Sequence, residues 1–342
     1  MRVTGSWVAI PTPFREDGYI DLEKFKPIID FQHHYGTDGL LVLGSAGESS
    51  MLSQEEKKQI IKYVVEYTRD KIPILVGTTG ANTQDTIEMT KYAQMVGADG
   101  ALMVIPAYIK PPQEDLYNFV KTVANQVDIP IAIYNNPTRV GVNIKPETAI
   151  KISGIKNIIA LKEAMPDVSQ LIKVQLGLKR RIDVLTCDAP NYSIILPNLA
   201  IGGSGTTNIT GNLIPEEFVQ LSRPWQKYED MINSRTLIFK YFPLMEICYS
   251  VTNPVVIKAG LNILGLPGGK PRLPLRPLVG EKLDQLTERK LSKHMSKCKK
   301  RKIQDKHSFN FKSTTPVRAW VSIFKDKSKC QLGKGDKENV RF

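Results

Sequence analysis

The sequence predicts a (β/α)8 barrel of the TIM type, extended by additional C-terminal helices. Eight short apolar, β-branched runs follow one another along the chain. Most are near-continuously apolar instead of alternating, as parallel strands covered on both faces are. Amphipathic stretches of helical period separate most of them, so the repeating unit is a strand and a helix, and eight such units close a barrel. A doubly wound open sheet is the alternative. It is disfavoured because no Gly-x-Gly-x-x-Gly follows the first run and the unit count is eight.

The expected strands cover residues 7–13, 39–44, 73–78, 101–106, 130–134, 158–162, 183–187 and 203–209. A helix is expected over 54–67, where Ile60, Ile61, Val64 and Val65 oppose Glu55, Glu56, Lys57 and Lys58, with Ser53 as the start signal. Further helices are expected over 83–96, 114–127, 145–152 and 168–178. Beyond the eighth strand, 215–241 and 254–264 read as helices, and 265–277 is rich in Pro and Gly. The chain therefore divides into a barrel over 1–212, a helical region over 213–288 and a tail over 289–342. The tail is Lys-rich, poor in aliphatics and without a period, and is expected to be disordered.

Composition narrows the class. Hydrophobic residues make up 42% of the 342, as in ordinary globular proteins. No apolar run approaches the roughly 20 residues that span a bilayer. The N-terminus enters a strand-like pattern within a few residues, with no signal- or transit-peptide layout. Cys187, Cys248, Cys298 and Cys330 are scattered and read as free thiols of a reducing compartment, so a cytoplasmic location is expected. The net charge of +13 suggests a polyanion partner until it is divided. Residues 289–342 hold 17 Lys/Arg and 4 Asp/Glu of the chain's 47 and 34, which leaves 30 of each sign in the rest. The folded body is neutral, and nucleic-acid binding is expected, if anywhere, only of the tail.

Reactive groups of such barrels gather at the C-terminal ends of the strands. The sixth strand ends in Lys162. Burial there lowers a lysine's pKa and supplies the neutral amine that attacks a ketone, although a strand-end lysine can instead snorkel to solvent. The fifth strand ends in Tyr134, a candidate for proton transfer to a carbinolamine or else a core tyrosine. Arg139 in the next loop offers a planar fork for a carboxylate, or is simply solvated. The second strand ends Gly44-Ser45-Ala46-Gly47-Glu48 and is followed by a helix, and small residues there would expose backbone N–H groups to an anion at its N-terminus. The similar Gly77-Thr78-Thr79-Gly80 lacks the following Glu. Tyr108, after the fourth strand, adds a second phenol at the rim. His33, His34, His294 and His307 form no metal-ligand cluster with Cys or Asp, and no Gly-x-Ser-x-Gly elbow or Walker loop is present.

These motifs resemble the dihydrodipicolinate synthase / N-acetylneuraminate lyase superfamily. The resemblance rests on residues 44–48, Tyr134-Asn135-Asn136-Pro137, residues 159–164, Asn253 to Lys258 and Arg272 to Leu278, and runs from about residue 3 to 288. It implies a class I, pyruvate-dependent aldolase in which Lys162 forms an imine with pyruvate and no separate cofactor or metal is used. It implies that Tyr134 transfers protons, relayed through Ser45 and through Tyr108 reaching in from a neighbouring subunit, so that a homodimer or homotetramer is the active unit. Arg139 falls on the arginine that binds the carboxylate of aspartate semialdehyde in the synthases, a position the sialic-acid lyases fill differently. The implied reaction is condensation of the enamine with that aldehyde to 4-hydroxy-tetrahydrodipicolinate, in lysine biosynthesis.

The chain also departs from the family. Ser45-Ala46 replaces a Thr-Thr pair at the substrate carboxylate. Cys187-Asp188-Ala189 stands for Gly-Asp-Asp, and Gly205-Thr206-Thr207-Asn208 for Gly-Val-Ile-Ser, which places Cys187 and Thr207 beside the substrate. Ala107, Gln54, Lys57 and Thr86 depart from the lysine feedback site, so little inhibition by lysine is expected. Two other readings are kept. One is a different pyruvate-dependent lyase, such as N-acetylneuraminate lyase or a 2-keto-3-deoxy sugar acid aldolase. The other is a barrel whose basic tail docks an anion.

Overall fold

Hydrogen-bonded pairing runs from each strand to the next and returns from β8 to β1, giving a closed barrel of eight parallel strands. They are β1 (Gly5–Ala9), β2 (Gly39–Val42), β3 (Ile74–Gly77), β4 (Gly100–Val104), β5 (Ile131–Asn135), β6 (Ile158–Glu163), β7 (Asp183–Cys187) and β8 (Gly205–Asn208). This computed structural model describes residues 1–190 and 193–287, so the tail expected over 289–342 lies outside the described residues.

The helices are α1 (Phe25–His34), α2 (Gln54–Thr68), α3 (Thr83–Met95), α4 (Gln113–Ala124), α5 (Pro137–Val140), α6 (Pro146–Ser153), α7 (Val168–Gly177), α8 (Ile195–Ala200), α9 (Pro215–Ser222), α10 (Tyr228–Cys248), α11 (Val255–Ile263) and α12 (Glu281–Leu286). In α2 the four aliphatics at 60, 61, 64 and 65 are buried, and Ser53 and Glu56 form a capping box at its start. Strand side chains are buried both toward the barrel interior and toward the helices, which is why the runs do not alternate. The packing is close: a Cβ on Gly39 would lie 2.6 Å from the ring of Trp7.

Several boundaries differ from expectation, three of them for a clear local reason. β1 stops at Ala9, because Pro11 and Pro13 have no N–H for a ladder. β2 stops at Val42, because Leu43 turns to φ +58. The single helix expected over 215–241 is two helices. Arg223, which precedes Pro224, is extended (φ −65°, ψ 133°), as a residue before proline prefers. α10 then runs on through Pro243 to Cys248. Among the described residues no helix is long and apolar enough to cross a membrane.

Candidate active site

Register places the reactive side chains together. Tyr134 of β5 pairs with Lys162 of β6, and Cys187 of β7 pairs with Thr207 of β8. Both pairs sit near the C-terminal ends of their strands. There a pocket is lined by Ala9, Ser45, Tyr134, Arg139, Lys162, Cys187, Thr207, Asn208, Ile209, Tyr249 and Asn253.

Lys162 is 7% exposed, and its Nζ lies 3.9 Å from the centroid of the Tyr134 ring. Burial pushes its pKa below the usual lysine value. The neighbouring Cys187 and Asp188 oppose that shift, and the charge of Arg139 adds to it. Neutral amine is thereby available, and snorkelling is not what this lysine does.

The Tyr134 hydroxyl oxygen accepts from Asn136 Nδ2 at 2.5 Å and, weakly, from the Cys187 thiol at 3.9 Å. Cys187 Sγ also lies 3.6 Å from Thr207 Oγ1. Burial pushes the Cys187 thiol up, so it remains S–H. Asn136 extends the connection: its Oδ1 accepts from Thr138 Oγ1 (2.6 Å) and from the Arg139 backbone N–H (3.2 Å), capping the one-turn α5 that carries Arg139. One buried amide thus joins the phenol to the turn bearing the guanidinium.

Ser45 lines the pocket and is half-buried, whereas Ala46 is fully buried and is not part of the wall. The turn itself is not a helix N-terminus. A 3-10 turn (Ser49–Met51) intervenes, and α2 starts at Gln54. Glu48 takes φ +56 and its carboxylate turns inward, which breaks the run of helical backbone. The Gly47 and Glu48 N–H groups are used within the turn, on the carbonyls of Gly44 and Ser45. The chain here crosses so close to β3 that a Cβ on Gly77 would come 2.1 Å from the Leu43 carbonyl oxygen. Tyr108 has φ +79, is 95% exposed and is not on the pocket wall of its own chain.

Two structural ties had no local signal in the sequence. Asp188, fully buried, accepts from the backbone N–H of Ile209 (3.2 Å) and Thr210 (2.9 Å) and from Tyr249 Oη (2.5 Å), joining the ends of β7 and β8 to the residue after α10. Glu48 forms a buried ion pair with Lys258 of α11 at 2.5 Å and accepts from the Arg272 backbone N–H at 2.8 Å. Burial lowers Lys258 to about 8, against the pull of Glu48. Asn253 completes the wall from the segment before α11, where its Oδ1 is buried and finds no hydrogen-bond partner among the described residues. Among the described residues no three His, Cys, Asp or Glu side chains come together to hold a metal.

A family model described as the dihydrodipicolinate synthetase family matches residues 2–293. The chain belongs to the dihydrodipicolinate synthetase family. A 4-hydroxy-tetrahydrodipicolinate synthase of Citrifermentans bemidjiense is 39% identical over 283 residues, covering 83% of this chain and 96% of that protein. The crystal structure of dihydrodipicolinate synthase from Aquifex aeolicus superposes with a TM-score of 0.80 at 36% identity, over 86% of this chain and 98% of that one. A monomeric dihydrodipicolinate synthase variant superposes at 0.79 with 32% identity, over 86% of this chain and 97% of that one. The resemblance read from the motifs therefore holds at the level of the family, and with it the barrel.

Proposed function

We propose that this lyase of the dihydrodipicolinate synthetase family condenses pyruvate with aspartate semialdehyde to 4-hydroxy-tetrahydrodipicolinate, with the imine formed on Lys162. The observation that carries the reading is a buried lysine of lowered pKa, 3.9 Å from the ring of Tyr134 at the mouth of a barrel.

The neutral Nζ of Lys162 attacks the keto carbon of pyruvate, and Tyr134 passes protons to and from the carbinolamine as water leaves. Loss of a methyl proton from the imine gives the enamine, whose carbon bonds to the aldehyde carbon. The amino group of the aldehyde substrate then closes onto the imine carbon and releases Lys162. Arg139 holds the carboxylate of the aldehyde as a bidentate fork, and Ser45, with Ala46 behind it, marks the pyruvate carboxylate end. Cys187 and Thr207 fill the floor. No cofactor or metal is assigned.

Tyr108 is the remaining relay member, and its 95% exposure suits a side chain that completes a neighbour's site. A homodimer or homotetramer is the corresponding active unit. Two buried free thiols, Cys187 and Cys248, fit a reducing compartment, and we place the enzyme in the cytoplasm. The second reading, a sugar-acid aldolase, is favoured by one feature: Cys187 and Thr207 reshape the floor of the pocket. Incubation with pyruvate and borohydride, followed by an aldehyde screen, tests both. A reduced pyruvate adduct with consumption of aspartate semialdehyde supports the first reading. An adduct with consumption of a sugar aldehyde alone selects the second.

A further inference from the structure

Lys162 and Glu163 are consecutive on β6, so their side chains leave on opposite sides of the strand. Lys162 enters the pocket. Glu163, 2% exposed, meets α7 and the segment after β5. Its carboxylate accepts from Met165 N (2.7 Å), Asn135 Nδ2 (2.9 and 3.1 Å) and Gln170 Nε2 (3.3 Å). Asn135 also grips residues further along: its Nδ2 donates to Asn143 Oδ1 (2.8 Å), and its Oδ1 accepts from Ile144 N (3.0 Å). Asn143 Nδ2 donates in turn to Gln170 Oε1 (2.8 Å). Asn135 and Ile144 are the two ends of the segment that contains α5 and Arg139. That segment is a loop closed at its base on one carboxylate.

We propose that Glu163 is a positioning residue: with Asn135, Asn143 and Gln170 it clasps both ends of the 135–144 segment and so sets where Arg139 meets the carboxylate of the aldehyde substrate. The inference rests on the role given to Arg139 above.

The clasp requires an ionised Glu163. Its side-chain and backbone partners all donate, so a proton or an amide on this group sets hydrogen against a donor. From β5 it meets Asn135, from the segment before α6 Asn143 at one remove, and from α7 Gln170. None of these titrates, and Lys162 lies on the opposite side of the strand. With no cation bonded to it among the described residues, burial pushes Glu163 up to about 7, against the hydrogen bonds from Met165 N, Asn135 and Gln170. The carboxylate therefore forms, and the clasp tightens, as pH rises through about 7.

The test is steady-state kinetics of the full chain on pyruvate and aspartate semialdehyde, on either side of about pH 7, for wild type, Glu163→Gln and Asn143→Ala. In wild type the aldehyde KM should fall roughly tenfold as pH rises, the effect of about one charge-assisted hydrogen bond, while the pyruvate KM stays level. Glu163→Gln should hold the high aldehyde KM at every pH. Asn143→Ala, which leaves Glu163 in place, should raise the aldehyde KM several-fold and leave borohydride trapping of pyruvate intact. Aldehyde KM values equal to wild type in either folded variant would overturn the clasp, as would equal changes in both KM values. If Glu163→Gln fails to fold, Asn143→Ala decides. Wild type that traps pyruvate but ignores aspartate semialdehyde refutes the substrate instead, and the same variants are then measured on the aldehyde that is consumed.

Discussion

A lysine at the end of a barrel strand can reach solvent or be held back from it, and Lys162 is held back, 7% exposed beside Tyr134. Holding an ammonium away from water favours the amine, and the positive charge of Arg139 at the same mouth works in that direction. Tyr134 owes its place to Asn136, whose amide bonds its hydroxyl and caps α5 together. Tyr134→Phe keeps the ring against Lys162 and removes only the proton carrier. Its kcat should drop by about a hundredfold or more while the fold is kept, measured by steady-state turnover beside thermal unfolding. A loss below threefold would remove Tyr134 from the proton path.

At the scale of elements, the C-terminal region is part of the site's construction. Glu48, three residues after Ser45, is held by Lys258 of α11 and by the backbone of Arg272. The Arg272 guanidinium in turn bonds both oxygens of Glu56 at the start of α2. Lys258→Met leaves a carboxylate buried without its cation and should cost about 3–5 kcal/mol, read from denaturant unfolding. The double variant Glu48→Gln, Lys258→Met should recover much of that stability. It should not recover full activity if the pair also fixes the Ser45 turn. Equal stability of Lys258→Met and wild type would contradict the account.

These ties also mark where the sequence stopped being legible. The strands could be read because burial on both faces writes an unbroken apolar run, and α2 because its periodicity and cap are local. Glu48 and Lys258, or Asp188 and Tyr249, are far apart in the chain, and neither partner announces the other. The backbone N–H groups expected to face an anion at the Ser45 turn are spent within it, and Glu48 there is held inward by a distant lysine, a tertiary effect that no window of sequence contains. Asn135 and Asn136 could be quoted as a motif. Their division of labour, one toward Glu163 and the other toward Tyr134, depends on which side of the backbone each amide takes.

For the whole molecule, the barrel delivers Lys162, Tyr134, Ser45, Arg139, Cys187 and Thr207 to one mouth, while Tyr108 points out of it. A chain that needs its neighbour's Tyr108 should lose activity as it dissociates. Light scattering should find a dimer or larger species, and specific activity should fall on dilution in step with monomer. A fully active monomer would assign Tyr108 no role in the relay. Charge enters at this scale too: the body carries 30 residues of each sign, so the excess of +13 sits entirely in 289–342.

The measurement that tests the central claim most directly is peptide mapping after borohydride reduction with pyruvate, on wild type and Lys162→Ala. One reduced pyruvate should be found on Lys162 in the wild type, with activity lost in proportion, and none in the variant. An adduct on another lysine, or a variant that still condenses pyruvate with aspartate semialdehyde, would contradict the account.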